Sequence, residues 1–182
     1  KKETLETYTA VSRETAEETD NRVTDEEIDA ILSVLRCRKE HLTTVESITA
    51  GMIAARIADI PGCSDVLRRA FVTYSDEAKH EMVGVKKETL ETYTAVSRET
   101  AEEMAKGGAE KAHAEACVAA TGYAGPPAGP DDHSAGQVFL SCSYHKKTVV
   151  EEHHYTGLRN EVRAQAMNDA LRLLGRMTAA HS

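Results

Sequence analysis

The stretch Val45-Glu46-Ser47-Ile48-Thr49-Ala50-Gly51 joins two elements of different kinds. Residues 42–45 before it are predicted to form a buried strand, and residues 52–58 after it have the spacing of an amphipathic helix. In an open α/β sheet, ligands bind outside the carboxyl ends of the strands. Ser47 and Thr49 are therefore candidates for an active centre, and backbone N–H groups at the helix start are available to an anion. The alternative is that Thr49 caps the helix and Ser47 is a polar loop residue.

The segment before this strand predicts a helix that begins at a capping box. Thr24 can accept a bond from the third backbone N–H of the helix, and Glu27 can reach back to the cap. The apolar residues that follow share one helical face: Ile28, Ile31, Leu32 and Leu35. This spacing predicts a helix that ends near residue 38.

The remaining elements alternate between strands and helices. Four further strands are predicted over residues 70–74, 116–121, 136–144 and 148–155. The short link His145-Lys146-Lys147 makes the last two an antiparallel hairpin, and a helix over residues 159–177 follows them. This order predicts an α/β fold, a three-layer α/β/α sandwich with a mixed sheet.

Residues 1–18 recur letter for letter as residues 86–103. Repeats of a folded unit diverge at surface positions, so an identical copy indicates a recent duplication or a cloning artefact. We expect residues 1–20 to form a peripheral helix or an arm on a neighbouring subunit. The functional domain is assigned to residues 21–182.

Composition excludes several classes of partner. The 182 residues carry a net charge of −8 and no basic stripe, which argues against nucleic acid and anionic membranes. The four cysteines are widely spaced without a C-x-x-C pair, as expected of reduced thiols rather than of a zinc site. No apolar run reaches membrane-spanning length. We expect a cytoplasmic homo-oligomer that binds a small molecule and contains neither metal nor cofactor.

Three further features are candidates for catalysis or binding. Ser75 is predicted to cap a helix that carries Lys79. The Gly/Pro-rich loop over residues 122–130 permits close approach of a ligand to the backbone, although a rigid connector has the same composition. Arg159 and Arg163 lie one turn apart at the start of the last helix, where they can contact a phosphate. The alternative for both arginines is a surface pair with a nearby glutamate.

Four motifs between residues 24 and 174 resemble the C-terminal domain of the competence/damage-inducible protein CinA. The family typically reads A-E-S-C-T-G-G, V-T-Y-S-N-E-A-K, G-I-A-G-P and G-D-R-x-x-V-R. The corresponding stretches here are Val45-Glu46-Ser47-Ile48-Thr49-Ala50-Gly51, Phe71-Val72-Thr73-Tyr74-Ser75-Asp76-Glu77-Ala78-Lys79, Gly122-Tyr123-Ala124-Gly125-Pro126 and Gly157-Leu158-Arg159-Asn160-Glu161-Val162-Arg163.

The resemblance implies a nicotinamide mononucleotide (NMN) amidohydrolase, which converts the carboxamide to the acid and releases ammonia. By position, Ser47 is the implied nucleophile, and Lys79 and Tyr74 are the implied assisting residues. A serine hydroxyl needs a base to take its proton, and a lysine serves as that base when its pKa is lowered. The substrate-binding residues that we assign in the first, third and fourth motifs are Glu46, Thr49, Gly51, Gly122, Ala124, Gly125, Arg159 and Arg163.

This chain departs from the family pattern around the ligand. Ile48, Ala50, Tyr123 and Leu158 replace residues common in the family, as do Pro127, Ala128 and the segment 133–136. These departures leave two alternatives to an NMN amidase. One is a non-catalytic nucleotide-binding or regulatory domain, and the other is a serine hydrolase that acts on another amide.

Overall fold

The computed structural model describes residues 22–126 and 134–180. Within them, six α-helices pack on a five-stranded sheet. The helices are α1 Asp25–Arg38, α2 Met52–Ala58, α3 Asp76–Val83, α4 Lys87–Tyr93, α5 Arg98–Ala112 and α6 Arg159–Ala179. The strands are β1 Leu42–Glu46, β2 Leu67–Val72, β3 Ala116–Gly122, β4 Gln137–Tyr144 and β5 Lys147–His154. The prediction for residues 1–20 and the part of the predicted Gly/Pro loop over residues 127–130 lie outside the described residues.

The sheet is mixed, with strand order β2-β1-β3-β4-β5. Strand β1 pairs in parallel with both β2 and β3, whereas β4 runs antiparallel to β3 and to β5. Three carboxyl ends therefore meet at one edge, and the residues that follow β1, β2 and β3 converge there. The predicted α/β class and mixed sheet are confirmed.

Alternation along β3 divides the apolar core into two layers. Ala116, Val118 and Ala120 face a large cluster that includes α1, α2 and α6. Cys117 and Ala119 face a smaller cluster with side chains of α5 and the end of α3. Because successive strand residues point to opposite faces, a strand of small apolar residues is buried on both sides. The three-layer arrangement follows.

Strand β2 begins three residues earlier than the sequence predicts. It covers Leu67–Val72 rather than residues 70–74, so Tyr74 follows the strand instead of ending it. The strand is a sheet edge, and exposed Arg68 and Arg69 hide its apolar alternation. Its pairing with β1, from Leu67 opposite Leu42 to Val72 opposite Glu46, determines the bounds.

Local chemistry accounts for the other element ends. The capping box of Thr24 and Glu27 is present at the start of α1. The β4–β5 link has two residues, His145 and Lys146, rather than the predicted three. Both have positive φ, 47° and 66°, as a two-residue type I′ hairpin requires.

Gly107 allows α5 to approach the end of α3, the helix that carries Lys79. A Cβ built on Gly107 would lie 1.8 Å from the carbonyl oxygen of Val83. We expect Gly107→Ala to lower the free energy of unfolding by at least the roughly 1–3 kcal/mol typical of overpacking, because backbone must move. Chemical denaturation measures this change. Lys106→Ala, an exposed neighbour on α5, is the control, and an unchanged midpoint for Gly107→Ala would contradict the packing argument.

Candidate active site at the carboxyl edge of the sheet

A pocket with a volume of about 470 Å³ opens where the carboxyl ends of β1, β2 and β3 meet. This volume is within the roughly 300–1,000 Å³ usual for small-molecule sites. Seven residues assigned from the sequence line it: Ser47, Tyr74, Lys79, Gly122, Ala124, Gly125 and Arg159. The tertiary structure thus brings together residues from all four motifs.

Ser47 and Lys79 form a hydrogen-bonded pair in this pocket. The Lys79 Nζ lies 3.3 Å from the Ser47 Oγ and 3.2 Å from the carbonyl oxygen of Thr73. Only 1% of Lys79 and 8% of Ser47 is exposed. Burial lowers the pKa of Lys79, and Asp76, whose Oδ1 is 3.9 Å from Nζ, opposes that shift. A buried amine with a lowered pKa beside a serine hydroxyl is a candidate general base.

The short helix α3 explains why Lys79 points inward. Ser75 caps it by accepting a bond from the N–H of Ala78, as the sequence predicts. Lys79 and Val83 are the two buried residues of α3 and lie one turn apart on the same face. Val83 packs into the smaller core cluster, so the same face carries the lysine into the pocket.

Tyr74 and Arg159 meet at the pocket wall. Arg159 Nη2 donates to the Tyr74 hydroxyl at 3.0 Å, and its Nη1 donates to the carbonyl oxygen of Gly125 at 2.9 Å. Tyr74 is 57% exposed. Since the phenol oxygen accepts the arginine bond, its own proton remains available for donation. Arg159 ties the first residues of the Gly/Pro loop to the tyrosine.

Glu46, which the sequence assigns to substrate binding, does not line the pocket. Its carboxylate is fully buried and accepts three backbone bonds, from the N–H groups of Gly51, Ile53 and Ala54. These donors are the free N–H groups at the start of α2. Glu46 therefore holds α2 against the end of β1, with both carboxylate oxygens occupied.

Thr49, Gly51 and Arg163 also do not line the pocket, although the backbone N–H of Thr49 has no acceptor among the described residues. Thr49 is fully buried, and Gly51 adopts a φ of 96° in the turn. Ala50 beside it has a φ of 49°, so the chain carries a methyl group in a left-handed conformation there. Arg163 donates to the carbonyl oxygens of Ile48 and Thr49.

Several lining residues were not assigned from the sequence. The described ones are Ile48, Ala95, Val96, Thr121, Tyr123, Pro126, Ser134 and Ala135. Thr121 Oγ1 donates to the carbonyl oxygen of Ala95, which draws the turn before α5 to the end of β3. Because Ala95 and Val96 carry no reactive group, only the position of their turn beside a strand end indicates a site.

The described part of the chain contains neither a membrane-spanning helix nor a cluster of metal-binding side chains. No helix there is long and apolar enough to cross a membrane. Within residues 22–126 and 134–180, no group of three or more His, Cys, Asp or Glu side chains is placed to hold a metal ion.

The sequence model of the family described as the CinA C-terminal domain matches residues 24–178. The chain belongs to the CinA C-terminal domain family. It is 40% identical over 153 residues to an Acetivibrio thermocellus protein described as competence-damage inducible. The matched region covers 84% of this chain and 37% of that protein. A Clostridium botulinum protein with the same description is 39% identical, over 81% of this chain and 36% of that protein. The chain spans about a third of the length of these relatives.

Solved structures of CinA superfamily proteins share the fold. One from Klebsiella pneumoniae is 33% identical, with a TM-score of 0.81 over 87% of this chain and 99% of the other. The competence/damage inducible protein CihA from Agrobacterium tumefaciens is 37% identical, with a TM-score of 0.78 over 82% and 92% of the two chains. The CinA resemblance predicted from the four motifs is confirmed.

Proposed function

We propose that this CinA domain is a nicotinamide-nucleotide amidase, which hydrolyses the carboxamide of NMN to nicotinic acid mononucleotide and ammonia. The observation that carries the proposal is the pair Ser47–Lys79, with the amine buried and 3.3 Å from the hydroxyl in an open pocket. The four CinA motifs support the choice of NMN. Cytoplasmic location and homo-oligomerisation are part of the same proposal.

In the first half of the reaction, neutral Lys79 takes the proton of Ser47 as its Oγ attacks the amide carbon. The carbonyl oxygen becomes an oxyanion. When the tetrahedral intermediate collapses, the C–N bond breaks and the nitrogen receives a proton, so ammonia leaves and an ester on Ser47 remains. Lys79 supplies that proton, and Tyr74 is positioned by Arg159 to assist the transfer.

The turn after Ser47 carries the donors for the oxyanion. The backbone N–H of Ser47 donates to the carbonyl oxygen of Ala120, and the N–H of Ala50 donates to the carbonyl oxygen of Ser47. The N–H groups of Ile48 and Thr49 donate to none of the residues that the structure describes. Backbone donors held in advance at a developing charge contribute a large part of catalysis in acyl transfer.

In the second half, Lys79 takes a proton from water as the water oxygen attacks the ester. The bond between the acyl carbon and Ser47 Oγ breaks, the hydroxyl regains its proton from Lys79, and the acid product releases its own proton to solvent and leaves as the carboxylate. The proton transfers of this cycle involve water, Ser47, Lys79 and Tyr74. The reaction therefore belongs with the Ser–Lys variants of serine hydrolysis.

Ammonia release from NMN by the purified protein tests the proposal. We expect one ammonia per nicotinic acid mononucleotide formed. Calorimetric binding of NMN without turnover would instead support a nucleotide-binding or regulatory domain. Turnover of other carboxamides without NMN turnover would support a different amidase.

Arg159 is the proposed phosphate contact, since its guanidinium lines the pocket and is exposed. Arg159→Met should reduce kcat/KM for NMN about 10- to 100-fold more than for its dephosphorylated nucleoside, because only NMN loses a charge-assisted bond. Steady-state kinetics with both substrates measures the ratio. Equal losses would leave Arg159 with only its contacts to Tyr74 and Gly125.

A further inference from the structure

Arg163 binds the back of the Ser47 turn from a distant part of the chain. Its Nε donates to the carbonyl oxygen of Ile48 at 3.0 Å, and its Nη2 donates to that of Thr49 at 3.1 Å. Nη1 lies 3.3 Å from the Asn160 Oδ1. One planar guanidinium thus holds two consecutive carbonyl groups, a contact that its fork of fixed donors fits and a lysine amine does not.

These bonds orient the peptide unit between Ile48 and Thr49. In a trans peptide the C=O and the following N–H lie in one plane and point in opposite directions. Since Arg163 holds the carbonyl of Ile48, the N–H of Thr49 points away from Arg163. That N–H, like the N–H of Ile48, has no acceptor among the described residues, whereas those of Ser47, Ala50 and Gly51 are bonded.

We propose that Arg163 is a positioning residue that orients the N–H donors of the Ser47 turn toward the oxyanion. The inference rests on the proposed amidase function, since the oxyanion forms only when Ser47 attacks a carbonyl. Arg163 does not line the pocket that holds Ser47 and Lys79. The two arginines of the fourth motif therefore differ in role: Arg159 lines the pocket, and Arg163 binds the turn that follows Ser47.

Kinetics of Arg163→Met test the role. Methionine keeps much of the apolar stem and removes every donor. We expect kcat to fall about 100-fold with KM nearly unchanged, on the scale of losing one oxyanion donor, and to fall equally for NMN and its nucleoside. Arg163→Lys should restore part of kcat. Arg176→Met is the matched control, because Arg176 lies on the same helix and pairs with Glu151.

Two kinetic results would overturn the inference. A loss confined to NMN would make Arg163 a phosphate contact, and a raised KM with unchanged kcat would make it a determinant of binding.

Backbone amide chemical shifts give a second measurement that needs no turnover. Arg163→Met should move the amide resonances of Ile48 and Thr49, and Arg176→Met should not. If Arg163→Met fails to fold, Arg163→Lys replaces it: one amine can hold one of the two carbonyl groups but not both, so the resonances should still move. Unchanged Ile48 and Thr49 resonances in a folded variant would overturn the positioning role even if NMN is hydrolysed. Absence of NMN turnover in the wild type would remove the proposed function, and the shifts would still decide whether Arg163 orients the turn.

Discussion

Ser47→Ala is expected to reduce NMN turnover by about 10⁴- to 10⁶-fold, the range seen when a serine hydrolase loses its nucleophile. The variant has no oxygen to form the acyl ester, so only catalysis by binding and by the oxyanion donors remains. Ser47 is 8% exposed, and its hydroxyl accepts a hydrogen bond from Lys79. The fold and the melting temperature should therefore change little.

The control for this variant is Ser64→Ala, which removes an exposed hydroxyl from the turn before β2. It should keep wild-type turnover. A folded Ser47→Ala protein with near-wild-type activity would refute the nucleophile assignment. Rapid-quench measurement of an acyl-enzyme in the wild type, absent from Ser47→Ala, provides independent evidence for the ester.

Lys79→Arg and Lys79→Met should each abolish measurable turnover. A guanidinium keeps its proton at any accessible pH, and methionine has no basic group. In the wild type, kcat/KM should rise with pH through the lowered pKa of Lys79, because only the neutral amine accepts the Ser47 proton. Lys106→Met, at an exposed lysine paired with Glu102, is the control and should keep the wild-type profile.

The same burial makes stability depend on pH. Burial lowers the pKa of Lys79 in the folded protein below its ordinary value of 10.5. At a pH between the lowered pKa and 10.5, the unfolded chain therefore binds more protons than the folded one. The free energy of unfolding should therefore gain a favourable contribution as pH rises through that window. Comparison with Lys79→Met isolates this contribution, because the methionine variant has no amine to titrate. Identical pH dependence in both proteins would show that Lys79 is not buried in a way that lowers its pKa.

The helix and strand content follows from short-range pattern. The capping box at Thr24 and the face of Ile28, Leu32 and Leu35 specify α1, and Ser75 specifies the start of α3. The edge strand β2 is the element that the pattern placed poorly. Its exposed arginines leave no alternation to detect, so the ladder with β1 determines where it begins.

The residues of the pocket were predicted in part. Ser47, Tyr74, Lys79 and Arg159 follow from the CinA motifs, and they converge because the parallel strands β1, β2 and β3 end at one edge. Glu46, Thr49, Gly51 and Arg163 belong to the same motifs, but they do not line the pocket. Motif membership does not separate a residue that lines a site from one that supports it.

By itself, the sequence determined the class of fold, the family and the end of the sheet that carries the site, because periodicity, capping and motif order are local properties of the chain. Only the tertiary structure decided which side of the Ser47 turn each polar group occupies. Glu46 accepts backbone N–H groups from α2, and Arg163 donates to carbonyl oxygens more than 100 residues earlier in the chain. Those bonds depend on how α2 and α6 pack on the sheet, and no spacing within the sequence records that packing.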